Sequence, residues 1–153
     1  DEFLYFINSI VSKTKKNLVI TTGKIENSLV TEINKKGDKI NSRISNINLN
    51  GKSILVINNT TIFDLQNIIS KAEIFVSCHG APTHIAASFN KKIIDVIDES
   101  EIEFFNKWTA HFRNYNQINR TNFKSLSNKA FIEPENKLLY SLLCAELKSF
   151  ITP

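Results

Sequence analysis

Glu73-Ile74-Phe75-Val76-Ser77-Cys78-His79-Gly80-Ala81-Pro82-Thr83-His84-Ile85-Ala86-Ala87 passes from an apolar run through a small-residue turn into an alanine-rich segment. The run at 73–78 is short, β-branched and aromatic, which reads as a buried strand. His79-Gly80-Ala81 reads as a tight turn. Pro82 suits the first turn of a helix, because its missing N–H has no partner to lose there. The helix continues over 83–90. Lys91-Lys92 then lead into Ile93-Ile94-Asp95-Val96-Ile97, a further strand. A strand, a crossover helix and a second strand require parallel pairing.

The same alternation extends outward on both sides. Upstream, Phe3, Phe6, Ile7, Ile10 and Val11 mark one face of a helix over 2–15, closed by Lys13, Lys15 and Lys16. Residues 17–23 form a short apolar strand ending in glycine. A helix over 25–36 follows, stopped by Gly37. Residues 38–53 are polar and hard to place, with Ile44, Ile47 and Leu49 as an edge strand. Residues 53–58, a short strand or an extended connection, precede a helix over 62–71, capped by Thr60 or Thr61. Downstream come a short acidic helix (99–107), an irregular aromatic stretch (108–116), a last strand (117–121) and a helix from Pro134 to about residue 151. This order predicts an α/β, Rossmann-like three-layer domain with a mostly parallel sheet, residues 1–153 forming a single domain.

Composition limits the alternatives. The chain has 153 residues, 42% hydrophobic and 22% charged, which suits one folded domain rather than disorder. The net charge of +4 permits an anionic ligand without demanding nucleic acid, and no basic stripe or stacking motif supports that partner. Four glycines and two cysteines exclude collagen-like and disulfide-framework classes. Cys78 and Cys144 are expected to be reduced and buried. No apolar run approaches the roughly 20 residues of a membrane helix. A cytoplasmic location follows as the expectation, with peripheral contact to the inner membrane as a variant of it. The absence of methionine, even at position 1, suggests a fragment of a longer protein.

In an open parallel sheet, ligands bind beyond the C-terminal strand ends, and a helix N-terminus there offers free N–H groups and the positive end of its dipole. Gly80 and Ala81 let a phosphate approach the backbone, and His79 and His84 flank it. The bland alternative is two histidines satisfying backbone groups at a turn. Cys78 beside His79 suggests a thiolate nucleophile, but strand neighbours point to opposite faces, which favours a structural cysteine. His111, Arg113 and Trp108 either stand at the same sheet edge, with Arg113 pairing to an anion, or belong to an aromatic wedge under the C-terminal helix.

The segment 64–87 resembles the C-terminal half of glycosyltransferase family 9, the heptosyltransferase-like family. Its pattern is an Ala-acidic helix end, a Val-rich strand, Asp-Ser/Thr-Gly-Pro-x-His and an Ala-rich helix. Pro82, His84, Ala86 and Ala87 fall in register, and Asn90-Lys91-Lys92-Ile93-Ile94 follows at the right distance. His79, Gly80 and Ala81 stand where the family has Asp, Ser or Thr, and Gly. Val19-Ile20-Thr21-Thr22-Gly23-Lys24-Ile25-Glu26 resembles the family's strand-Gly-x-x-Glu segment. The likeness spans roughly 2–120, with 72–94 its specific part.

The resemblance implies the donor-binding half of a GT-B glycosyltransferase. His79, Gly80, Ala81, Thr83 and His84 would meet the diphosphate of a nucleotide-sugar donor, and Glu26 the ribose hydroxyls. His111 and Arg113 remain candidate loop contacts. The full enzyme would transfer a sugar, with inversion, to a glycan or lipid-linked acceptor. The acceptor domain and its catalytic base lie outside this chain, so these residues would bind donor without turnover. No metal and no cofactor are implied. The rival is a non-catalytic module holding a nucleotide or sugar phosphate.

Overall fold

The computed structural model describes residues 2–24 and 33–119, together with positions 145 and 147. Glu26, Cys144 and the expected helix from Pro134 lie outside the described residues, apart from those two positions. The chain divides into two compact units, residues 1–65 and 66–153. Both combine helices and strands, so the α/β class holds.

The first unit contains α1 (Glu2–Lys13), β1 (Leu18–Thr21), β2 (Asp38–Lys39), β3 (Ile44–Leu49) and β4 (Lys52–Ile57). Its sheet runs β1-β4-β3-β2. β1 pairs with β4 in parallel, while β3 pairs antiparallel with both β4 and β2. This sheet is therefore mixed. The segment 44–49, expected at an edge, lies inside, and Asp38–Lys39 takes the edge. The cause is local. Asn50 and Gly51 both have positive φ, 53° and 74°. Two such residues make the tight turn that folds β3 back on β4. Ile7 and Val11 of α1 are buried, as are Ile33, Ile47, Ile54 and Val56. Lys52 Nζ donates to the carbonyls of Val11, at 2.6 Å, and Thr14. A cation from the sheet thus satisfies the carbonyl end of α1.

α2 (Ile62–Lys71) contains the unit boundary. Thr61 caps it reciprocally. The Thr61 N–H donates to Asp64 Oδ2 at 2.8 Å, and the Asp64 N–H donates to Thr61 Oγ1 at 3.2 Å. Aspartate here fills the role usually taken by glutamate in a capping box. Thr60 turns the other way, its hydroxyl donating to the Thr22 carbonyl at 2.8 Å.

The second unit contains β5 (Ile74–Cys78), α3 (Ala81–Ser88), β6 (Lys92–Ile97), a 3₁₀ turn (Glu99–Glu101), α4 (Ile102–Thr109) and β7 (Tyr115–Asn119). Its sheet runs β5-β6-β7, and both pairings are parallel, as expected. β6 is central, with Ile93, Ile94, Val96 and Ile97 all buried. The last strand begins at Tyr115, before the expected 117. Cys78 is a free thiol and is exposed, contrary to the expected burial. Among the described strands β5 lies at the sheet edge, and Val76 on its strand is also exposed. No helix among the described residues is long and apolar enough to cross a membrane.

Candidate functional site

The site is built where β5 ends. Strand geometry alternates side chains, so Ser77 and His79 point to the face opposite Cys78. The parallel register pairs Ser77 with Asp95, and the His79 N–H donates to the Val96 carbonyl at 3.4 Å. This register brings His79 against the middle of β6. His79 Nδ1 hydrogen-bonds Asp95 Oδ2. The histidine side chain is 8% exposed and the aspartate 0%.

Asp95 sits in an apolar strand, where an unpaired carboxylate would be costly. The structure surrounds it with donors. Tyr115 OH donates to Oδ2 at 2.8 Å, and Thr83 Oγ1 donates to Oδ1 at 3.3 Å. Behind them, Gln117 Nε2 donates to Tyr115 OH at 3.0 Å. Ser77 Oγ lies 3.1 Å from Thr83 Oγ1 and can donate to it. β5, α3, β6 and β7 thus each contribute to one network whose proton donors converge on a single carboxylate. Burial pushes the Tyr115 phenol up to about 12, and its bond to the Asp95 carboxylate adds to that rise.

An ionised carboxylate can only accept, so Nδ1 of His79 carries the proton in that contact. Nε2 makes no hydrogen bond to the described residues. The His79 side chain keeps 8% of its surface exposed. The His79 ring lies against Phe105, centroids 3.8 Å apart, and meets His84 edge-on at 5.5 Å. His84 in turn meets Phe112 at 5.3 Å and Trp108 at 6.4 Å. Aromatic side chains of α4 and the following loop therefore wall this side of the turn.

The helix opening beside these rings is bare. Gly80 is the N-cap of α3 and supplies no side-chain cap, Pro82 occupies the first turn, and no acidic residue stands there. The first N–H groups of a helix have no intrahelical partner. Thr83 uses its own, donating to the Gly80 carbonyl at 2.9 Å. Gly80 has φ 164°, an extended geometry open to any residue, and a Cβ there would meet only Pro82 Cδ at 3.7 Å. The backbone therefore does not require glycine.

Neither a protein-family model nor a curated protein matches this chain.

His79, Gly80, Ala81 and His84 come together at this turn. Thr83 is 0% exposed, and its hydroxyl supports Asp95 from within. Glu26 lies outside the described residues. His111 and Arg113 precede Tyr115, which pairs with Ile93 near the start of β6. They belong to the loop entering β7, toward the edge where the strands begin. Among the described residues, His111 connects to the turn through the ring chain Phe112–His84, with a His111–Phe112 spacing of 4.7 Å. Arg113 is exposed. That opposite edge holds an open cleft of about 350 Å³, lined by Glu73, Ile74, Asn90, Lys91, Lys92 and Asn114 among others. Its polar groups are largely engaged in the fold. Lys91 Nζ donates to the Ser70 carbonyl at 2.7 Å, and Asn114 Nδ2 to Asn90 Oδ1 at 3.3 Å. Asp95, Tyr115, Ser77 and Gln117 are the network members that the sequence does not single out, and Asp95 and Tyr115 are the two at its centre. Their signal was a lone carboxylate in the apolar run Ile93–Ile97 and a tyrosine one strand away.

Proposed function

We propose that residues 79–84 form a diphosphate-binding turn, in the donor-binding half of a glycosyltransferase resembling family 9. The observation that carries this reading is the uncapped, acid-free N-terminus of α3 at the C-terminal end of a parallel strand. Such an end attracts anions through its free N–H groups and dipole. The register of Pro82, His84, Ala86 and Ala87 adds the donor class, a nucleotide diphosphate sugar. The whole protein would transfer that sugar to a glycan or lipid-linked acceptor. In such a transfer, charge grows on the departing diphosphate, and fixed N–H groups stabilise it without reorganising.

Calorimetric titration of nucleoside diphosphates into the protein tests this. Binding is expected for at least one nucleotide. Gly80→Asp should weaken it by about tenfold or more, because a carboxylate would face the phosphates. The same substitution fits the backbone and supplies a cap, so it should leave thermal stability unchanged or raise it slightly. His84→Ala should also weaken binding. Unchanged affinity in both variants would remove the phosphates from this turn.

A further inference from the structure

We propose that His79 is the proton donor to the departing diphosphate, and that Asp95 is the positioning residue that holds its ring for this transfer. The inference rests on the diphosphate-binding reading of the same turn and adds a chemical role to it.

Three observations carry it. The His79 ring is fixed on three sides, by the Asp95 carboxylate at Nδ1, by Phe105 against its face and by His84 at its edge. Asp95 is itself held by Tyr115 and Thr83, so the ring's orientation is set two layers deep. Only Nε2 is left for a ligand among the described residues, one residue before the bare start of α3. A buried carboxylate on one nitrogen of an imidazole selects the tautomer and stabilises the cation, which frees the other nitrogen for proton transfer.

The bond between the donor's anomeric carbon and the diphosphate oxygen breaks, and its electron pair goes to that oxygen. His79 Nε2–H gives its proton to the same oxygen. The ring becomes neutral and keeps its Nδ1–H on Asp95. The acceptor hydroxyl forms the new bond to the anomeric carbon and releases its proton to a carboxylate base of the acceptor-binding half. Among the described residues, the ionisable groups facing His79 are Asp95 from β6, Tyr115 from β7 through that carboxylate, and His84 from α3. Phe105 presents no charge from α4.

Long-range ¹H–¹⁵N correlation spectra of histidine-labelled protein test the proposal, with inorganic pyrophosphate as the probe. The free protein should show His79 protonated at Nδ1. Saturating pyrophosphate should move the His79 Nε2 resonance into the range of protonated, hydrogen-bonded ring nitrogens, while His111 stays still. Asp95→Asn should abolish that response, and His79→Gln should weaken pyrophosphate binding by roughly tenfold or more, the worth of a charge-assisted hydrogen bond. Pyrophosphate binding with no movement of Nε2 in the unmodified protein would overturn the proposal and leave the diphosphate-binding reading intact. A folded Asp95→Asn protein with an unchanged His79 response would overturn the positioning role. Failure of both pyrophosphate and nucleoside diphosphates to bind would remove the reading and the proposal together. The titration of the unmodified protein does not depend on whether either variant folds.

Discussion

Asp95 is the residue on which the second unit turns. It stands fully buried in the central strand and accepts from three side chains. Cutting it to alanine would leave His79, Tyr115 and Thr83 without their acceptor. Removing one partner of a buried, hydrogen-bonded charge costs about 3–5 kcal/mol. Asp95→Ala should therefore lower unfolding free energy in urea by about that amount, and a loss below 1 kcal/mol would contradict the network. Only part of this site is legible in the sequence. His79 and His84 stood out because a turn before a proline-started helix is a recognisable ligand position. Asp95 did not, because its meaning depends on strand register. Only the parallel pairing of β5 with β6, Ser77 beside Asp95, brings carboxylate and imidazole together. The position of Thr83 in the turn suggests a ligand contact, yet helix geometry directs its side chain inward.

At the scale of elements, local signals located most helices and strands. The proline and apolar stripes put α2, α3 and β6 within a residue or two of their observed limits. Partner choice was less legible. Asn50-Gly51 is a strong hairpin signal, and it sets β3 antiparallel to β4 where alternation alone suggested parallel neighbours. The exposure of β5 is not legible, since a short apolar run does not reveal that its strand ends at the edge of the described sheet. The cap of α2 gives a pH-dependent test. Thr61 N–H and the Arg43 guanidinium hold the Asp64 carboxyl down at about 2. An unfolded aspartate titrates at roughly 3.9. The folded state thus keeps the charge longer, and the contribution is fully present above about pH 4 and lost as pH falls through about 2. Thermal melts should show Asp64→Asn less stable than the parent at pH 6, with the gap closing between pH 4 and 2. A gap independent of pH would rule out the charged cap. Arg43 also donates to the carbonyls of Asn58, at 3.3 Å, and Asn59, at 3.0 Å, so it ties the end of β4 to the start of α2.

For the whole molecule, the α/β class was legible because helices and strands alternate along the chain. The division into two units, one mixed sheet and one parallel sheet, was not, because it depends on long-range pairing. The net charge of +4 is compatible with an anionic ligand but does not locate it. Location is the central question, because the second unit offers two edges. One carries the bare start of α3 with the His79–Asp95 pair. The other carries the cleft beside Lys91 and Lys92. Backbone amide shift mapping during titration with a nucleoside diphosphate separates them directly. The largest shifts are predicted at Gly80, Ala81, Thr83 and His84, with little change at Ile74 and Lys91. Largest shifts at Ile74 and Asn90 to Lys92, or none at the turn, would contradict the account.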